Sequence, residues 1–454
     1  MQVKCVTACF CMQDKKRQGG QPIAMTGRQL SDGIRKTLRY AKRNGWRNAF
    51  FAVSERLQQL KKPYQYEPPS VETLAEQRTH IWVNAPKISV LVPAYETNEA
   101  FLRELIESVR AQTYSNWELI VADAGTGDSV KNVVYPYTRE DARINYHRLG
   151  ENKGISGNTN AGLMFVNGAY TALLDHDDLL TPDALYEMVC AAVKEPGAAL
   201  IYSDEDKCDE RAECYYAPHK KLDFDLDYFL TNNYICHLAM LKTDVLKSLR
   251  LRPEYDGAQD YDLFLRAAAA EKKIVHVPKV LYHWRSHEMS TADNPDSKRY
   301  AYEAGRRALD DFYKNMGWAA HAEEDMHVGF YRTVYENGIF DIRPEVGVTG
   351  GRLVRRNKVT GGAMKADGTL LYGSLPVQYS GDMNRAVLAQ SVPALDLRCM
   401  TVREELRELY AEYAARLERG DGEAIGISLA FCAEVRSRGY LLIYNPSDLC
   451  YTER

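Results

Sequence analysis

Three short runs constrain this chain more than anything else in it. ISVLV (88–92), ELIVA (118–122) and YTALL (170–174) are apolar almost throughout. A strand that is apolar on both faces must be covered on both faces, so these runs predict a largely parallel sheet with helices on each side. The intervening segments fit. EAFLRELIESVRAQ (99–112) puts Leu102, Leu105, Ile106 and Val109 on one helical face, and NTNAGLMFVNG (158–168) reads as a second helix. INYHRL (144–149) reads as a further strand. An open α/β sheet of this kind presents its ligand-binding loops at the carboxyl ends of its strands.

One of those ends is strongly acidic. YTALL runs directly into DHDD, then LLTPDAL. If the strand continues, Asp175 and Asp177 leave it on one face, roughly 6–7 Å apart. Thr181 is the expected N-cap of the next helix, with Pro182 in its first turn. Oxygen ligands so placed suit Mg²⁺ or Mn²⁺, which a few carboxylates hold together with substrate phosphates. For this fragment alone, a solvated acidic turn competes with the metal site.

The surrounding order adds to it. VPAYE (92–96), VADAGTGD (121–128), NKGISGNTNAGL (152–163) and LDHDD (174–178) follow one another at strand ends and helix starts. This succession resembles glycosyltransferase family 2, including its bacterial rhamnosyltransferase-type surface-polysaccharide members, over roughly residues 87–320. The resemblance implies a GT-A fold, a Rossmann-like nucleotide-binding sheet. It implies that Ala94, Tyr95, Glu96 and Asp123 contact the nucleoside of a sugar donor, and that Gly154 lets backbone approach the nucleotide. Asp177 would bind the metal, Mn²⁺ or Mg²⁺, with Asp175 on the ribose or the metal and Asp178 behind them. Asn158 stands where many members carry arginine. In GAQDYDLFLRAA (257–268), Asp260 matches the catalytic base, and Asp262 lies two residues further on. A helix dipole favouring acids is the bland account of that pair. In VLYHWRSHEMSTA (280–292), His283 is the first candidate for a third metal ligand and His287 the second; Arg285 and Lys298 are candidate phosphate contacts. Trp284 is expected to pack or to carry an acceptor.

The rest of the chain divides around that domain. Residues 28–62 hold ten Lys or Arg against two acids, with apolar residues at helical spacing and a break expected at Gly45. They read as a basic helical hairpin, or as a surface that leans on anionic lipid. Residues 63–86, with four prolines, read as a linker, so 1–86 forms one region. Residues 321–454 read as a degenerate, non-catalytic partial copy of the catalytic domain. ICHLAMLKTDVLKSL (235–249) resembles LDLRCMTVREELREL (395–409), and the copy has Gly426 and Ser428 where the first has Asp260 and Asp262.

Composition sets the outer limits. A net charge of −4 gives no global field for nucleic acid. No apolar run reaches the length of a membrane span, and the first residues lack the order of a signal peptide. They read as a leader ahead of Met25. Ten scattered cysteines suit a reducing compartment, and Cys5, Cys9 and Cys11 cluster without a second zinc-spaced pair. The expectation is a cytoplasmic protein, peripheral at the inner membrane face. It would be a metal-dependent inverting enzyme moving a hexosyl or rhamnosyl group from a UDP- or dTDP-sugar to a glycan or polyprenyl-linked acceptor in cell-envelope polysaccharide synthesis. A nucleotidyltransferase and a sugar-binding pseudoenzyme are the alternatives. The first would want a Gly- and Lys-rich phosphate loop, which VPAYETNE does not offer.

Overall fold

The computed structural model describes residues 27–59, 64–287 and 299–452. The cysteine cluster at 5–11 and Lys298 lie outside them. The described residues form two compact units: 64–224 with 233–287 and 299–316, and 27–59 with 225–232 and 317–452. The N-terminal helix α1 (Gly27–Gln59) belongs to the second of these, and Gly45 interrupts it with φ 82°.

The first unit opens with an extended strap that contains a helix the linker reading missed, α2 (Val71–Thr79). Ser70 caps it, accepting from the Thr73 amide at 3.1 Å, so a polar linker still holds a local helix signal. Then come β1 (Ile88–Ala94), α3 (Glu99–Arg110), β2 (Trp117–Asp123), α4 (Ser129–Glu140), β3 (Ile144–Arg148), α5 (Gly154–Gly162) and β4 (Tyr170–Leu173). Helix α5 starts and ends earlier than the apolar pattern suggested. The chain continues through β5 (Leu179–Leu180), α6 (Ala184–Lys194), β6 (Ala198–Cys208) and β7 (Tyr215–His219), and gives up α7 (Leu226–Phe229) to the other unit. It returns with β8 (Ala239–Lys242), α8 (Thr243–Leu249), α9 (Gln259–Ala269), β9 (Lys273–Arg285) and α10 (Arg299–Asn315).

Among the described residues nine strands make one sheet in the order β3-β2-β1-β4-β8-β6-β9-β5, with β7 on β6. Strands β3, β2, β1 and β4 are parallel, as their uniform apolarity requires. All seven residues of β1 and of β2 are buried. Helix α3 covers them with the four residues named from sequence, together with Phe101. Strand β8 runs antiparallel to both β4 and β6. That reversal carries the start of β8 to the carboxyl end of β4.

The second unit holds β10 (Ala320–Glu324) paired with β11 (Tyr331–Tyr335), α11 (Ile339–Ile342), β12 (Val346–Arg355), β13 (Lys358–Gly361), β14 (Ala363–Met364), β15 (Gln390–Ser391), β16 (Ala394–Leu395), β17 (Met400–Val402), α12 (Arg407–Arg419), α13 (Ala424–Ser437) and β18 (Leu441–Tyr451). Its main sheet runs β13-β12-β18-β15, with β17 on β12. This repeats the β6–β9 half of the first unit. Strand β12 has a parallel neighbour, β18, and an antiparallel one, β17, as β6 has β9 and β8. The registers agree towards both ends of the ladder and differ around Ser203 and Asp204. Ala198↔Lys273 and Leu200↔Ile274 correspond to Val346↔Leu441 and Val348↔Leu442, with the same irregularity between them. Beyond a further irregularity, Glu205↔Tyr282 and Asp206↔His283 correspond to Leu353↔Cys450 and Val354↔Tyr451. The fold is therefore α/β and GT-A-like, with a degenerate second module.

Candidate active site

The parallel strands deliver their ends as the alternation demanded. Ala94 closes β1 and accepts from the Ala124 amide at 2.9 Å, which ties the ends of β1 and β2 together. Tyr95 beside it is exposed, and Glu96 Oε1 accepts from the Thr126 amide and hydroxyl, both at 3.1 Å. Asp123 is fully buried; it accepts from the Gly125 amide at 2.8 Å and the Tyr146 hydroxyl at 2.7 Å. Burial first, then Asp123, pushes the Tyr146 phenol up to about 12. Gly154 has φ +74°, and a Cβ there would lie 2.6 Å from Asp256 Oδ2. The left-handed backbone favours glycine here, and the Asp256 carboxylate is its close neighbour. Asn158 closes the same loop, accepting from the Lys153 amide at 2.9 Å and donating to Asn152 at 2.8 Å.

The acidic segment does not stay extended. Strand β4 stops at Leu173, and the Asp178 amide bonds back to the Asp175 carbonyl at 3.2 Å. The turn gives each of the three carboxylates a different partner. Asp175 Oδ2 lies 3.6 Å from His237 Nε2. Asp177 Oδ2 lies 2.8 Å from His287 Nε2. Asp178 is buried and accepts from the Tyr282 hydroxyl at 2.5 Å and the Arg285 amide at 2.7 Å. Burial, then the charges of Asp177 and Asp175, raise its pKa well above the ordinary carboxyl value. The Thr181 hydroxyl donates to Asp183 at 2.7 Å, and α6 begins only at Ala184, so Thr181 is not the helix cap.

Four expectations change. His283 does not face Asp177. Its Nδ1 lies 2.5 Å from Asp206 Oδ1, and the rings of Tyr66 and Tyr215 pack on it at 4.6 and 4.4 Å. Strand alternation explains this, since Tyr282 and His283 are consecutive on β9 and point to opposite faces. The histidine beside the acidic turn is His287. Arg285 is no phosphate contact: its side chain is buried, and its guanidinium donates to the carbonyls of Asp177 at 2.7 Å and Glu210 at 2.6 Å and pairs with Glu104 at 2.6 Å. It holds the acidic turn from behind. Asp262 is buried in ion pairs with Arg252 and Arg266, a structural role. The helix start at α6 is the fourth.

Asp260 is the second residue of α9, and its Oδ2 accepts from Asn233 Nδ2 at 2.7 Å. Burial raises its pKa; His237, the Tyr261 amide and Asn233 oppose that rise, and Asp175 adds to it. Asp260 is therefore within electrostatic reach of both His237 and Asp175. His237 is itself fixed. Its amide donates to Glu205 Oε2 at 3.1 Å, its carbonyl accepts from Lys221, and its ring stacks on Tyr282 at 4.7 Å. Against its burial, Lys221, then His219 and His237, hold the Glu205 carboxyl down at about 2.

Sequence reasoning missed His237 and Asn233. The available signal was NNYICHLAML, with polar residues directly before an apolar strand. In a parallel strand that position lies at the amino end, far from ligand. Because β8 is antiparallel, it lies with Asp175 and Asp260. Among the described residues no three His, Cys, Asp or Glu side chains gather as a metal cluster. Asp177 and His287 do converge, and a carboxylate oxygen with an imidazole nitrogen is a donor pair that suits Mn²⁺.

Residues 89–250 match the family model described as Glycosyl transferase family 2. This domain belongs to glycosyltransferase family 2. Among curated proteins the family 2 domain is similar to the O-antigen biosynthesis protein RfbC of Myxococcus xanthus, 32% identical over 254 residues, 56% of this chain and 20% of that protein. It is similar also to the uncharacterized protein y4gI of Sinorhizobium fredii, 42% identical over 235 residues, 50% of this chain and 25% of that protein. The chain thus spans about a quarter or less of the length of these two relatives. Among solved structures, the mannosyltransferase PcManGT of Pyrobaculum calidifontis in complex with GDP-Man and Mn²⁺ is 17% identical, with a TM-score of 0.39 over 62% of this chain and 85% of that one.

Proposed function

We propose that the family 2 domain transfers a hexosyl or rhamnosyl group, with inversion, from a UDP- or dTDP-sugar to a hydroxyl of a growing glycan or polyprenyl-linked acceptor in surface-polysaccharide synthesis. The observation that carries this reading is the convergence of Asp175 and Asp260 about His237. A donor anchored at the strand ends and an acceptor beside α9 would meet there.

In this reading Ala94, Tyr95, Glu96 and Asp123 line the nucleoside end, and Asp175 takes the ribose or shares the cation. Asp177 and His287 hold Mn²⁺ or Mg²⁺, which when bound supplies positive charge to the departing diphosphate. Asp260 takes the proton of the acceptor hydroxyl as it attacks the anomeric carbon from the face opposite the diphosphate. Its raised pKa makes it a stronger base than a solvated carboxylate. Arg285 and Asp178 keep the acidic turn in shape.

No helix among the described residues is long and apolar enough to cross a membrane. Contact with the inner membrane face would run through 28–62, where Trp46 is 64% and Phe50 58% exposed beside Lys42 and Arg47. Exposed aromatics within a basic helix support that reading. Sedimentation with anionic vesicles should fall for Trp46→Glu with Phe50→Glu; unchanged sedimentation removes the membrane from the proposal.

The main test is a thermal-shift series with UDP-, dTDP- and GDP-sugars, each with and without Mn²⁺. Stabilisation by one base class that grows with Mn²⁺ and shrinks in Asp177→Asn is expected. No stabilisation by any of them would overturn the donor assignment.

A further inference from the structure

The segment that carries Asn233 and His237 has no helix or strand of its own until β8 begins at Ala239. Cys236, between the two, takes φ 38°, a left-handed value that a residue other than glycine keeps only when its surroundings hold it. Backbone groups in such a segment find their partners elsewhere. Here two side chains supply them. Lys221, whose side chain is fully buried, sets its ammonium among three acceptors: the Ile235 carbonyl at 2.5 Å, the His237 carbonyl, and Glu205 Oε2 at 3.3 Å. The same Glu205 oxygen accepts from the His237 amide at 3.1 Å. All three ammonium protons are thereby engaged, two of them by this segment.

The fold itself does not call for this pair. A buried ion pair adds little to stability over well-packed apolar side chains of similar volume. In the second unit the matching place on β12 holds Leu353, and that ladder forms with no acid there. What Lys221 and Glu205 grip is backbone, and the side chains on that backbone reach the reacting end of the cleft. His237 Nε2 lies 3.6 Å from Asp175 Oδ2, and Asn233 Nδ2 donates to Asp260 Oδ2 at 2.7 Å.

We propose that the buried Lys221–Glu205 pair is a positioning device for sugar transfer. It fixes the 235–237 backbone, and so holds His237 beside Asp175 and Asn233 against Asp260. Lys221 and Glu205 are positioning residues, acting through His237 and Asn233 and not on the substrate. The inference rests on the reading of Asp260 as the base. A displacement of about 1 Å at a reacting centre can lower a rate by about 10²-fold, so a pair remote from the substrate still governs turnover.

The test is a charge-free pair, Glu205→Leu with Lys221→Met, in the full chain. Replacing both charges together is often neutral for stability, so the melting temperature should stay within a few degrees of the parent. Hydrogen exchange at the Cys236 and His237 amides should quicken by about ten-fold or more while β8 keeps its protection. Nucleotide release from UDP-glucose, dTDP-rhamnose or GDP-mannose, whichever the chain consumes, should lose about 10²-fold in kcat. His237→Gln should cost about ten-fold in the parent and less than about two-fold in the charge-free background, because a side chain already out of place has little left to lose. Unchanged exchange overturns the proposal whatever the rates. Normal kcat, or losses that simply multiply, overturn it too, since a pair that only stabilised the fold would move the melting temperature and leave that coupling at zero. Should the charge-free pair fail to fold, Glu205→Gln with Lys221→Met carries the same exchange and rate comparison. Near-normal turnover in Asp260→Asn would overturn the base assignment alone, because the coupling between the ion pair and His237 is measured without altering Asp260.

Discussion

The β6–β9 half of the first unit and the β12–β18 half of the second share a strand order and a register, and differ in what hangs on them. Where the first has Glu205 and Asp206 opposite Tyr282 and His283, the second has Leu353 and Val354 opposite Cys450 and Tyr451. Where α9 begins with Asp260 and then Asp262, α13 begins with Gly426 and Ser428 near its start. Ser428 still does local structural work, accepting from the Leu397 amide at 3.0 Å and donating to the Ala424 carbonyl at 2.7 Å. Backbone pairing and apolar inward faces therefore suffice for the module. The acids are an addition that buries charge at a cost, so the module's fold does not depend on them.

The largest expected effect separates the copies outright. Asp260→Asn should lower turnover by about 10³-fold while sparing donor binding, since general-base catalysis contributes roughly 10²–10⁴-fold. Gly426→Asp should change turnover less than two-fold. A Cβ at Gly426 meets nothing within 4 Å, so the variant tests function without a steric penalty. Steady-state rates with a saturating donor decide the matter. Comparable losses in both variants would mean that the second copy takes part in catalysis, and near-normal turnover in Asp260→Asn would mean another base.

Acid stability comes next. Glu205 is buried, and its pKa falls to about 2 because Lys221, His219 and His237 surround it. A carboxyl depressed on folding stabilises the native state above its unfolded pKa, about 4.3, and loses that contribution as pH falls towards 2. The loss is on the order of 3 kcal/mol. Leu353 occupies the matching place and titrates nothing. Hydrogen exchange between pH 5 and 2.5 should show β6 losing protection before β12. Glu205→Gln should flatten that pH dependence, and simultaneous loss in both strands would break the contrast.

Much of this was legible in the residues, and the exceptions have one cause. The parallel strands announced themselves because a short run that is apolar on both faces has to be covered on both, and the carboxyl-end rule then placed Ala94, Asp123 and the acidic turn. The internal copy was visible because apolar spacing is kept in both halves. In the structure, however, Met240 lies on Ile201 and Thr401 on Thr349, a pairing one residue out from matching Met240 to Met400. What stayed hidden depends on direction and on face. His237 and Asn233 required knowing that β8 runs backwards. The choice of His287 over His283 required knowing where β9 ends and which face each residue takes. Asp262 and Arg285 looked available because sequence does not show that Arg252, Arg266 and Glu104 already engage them.

That face rule gives a third, smaller contrast, this time within β9 and the residues after it. His287→Ala should raise the Mn²⁺ concentration needed for half-maximal activity by about ten-fold, since a lost ligand or ligand partner costs roughly 10–100-fold in metal affinity. His283→Ala should leave that concentration unchanged and lower the melting temperature, because it strips Asp206 of its imidazole partner. A Mn²⁺ titration of activity beside a melting curve distinguishes the two, and exchanged phenotypes would restore His283 as the metal-side residue.

The smallest effect concerns the pH at which the base works. Burial raises the Asp260 pKa, while His237 and the Asn233 amide bond favour the anion. The acid limb of kcat/KM should therefore lie above the ordinary aspartate range, with activity lost as pH falls through it. Asn233→Ala removes a hydrogen bond to the charged form, so the folded pKa rises further and the limb moves to higher pH, by less than about one unit. His237→Gln should move it the same way. In the second copy the strand register puts Arg398, paired with Asp396 at 2.7 Å, at the place of His237. A limb that stays put in Asn233→Ala while turnover drops would mean that Asn233 only positions the carboxylate, and a limb that moves to lower pH would remove Asp260 from the role of titrating base.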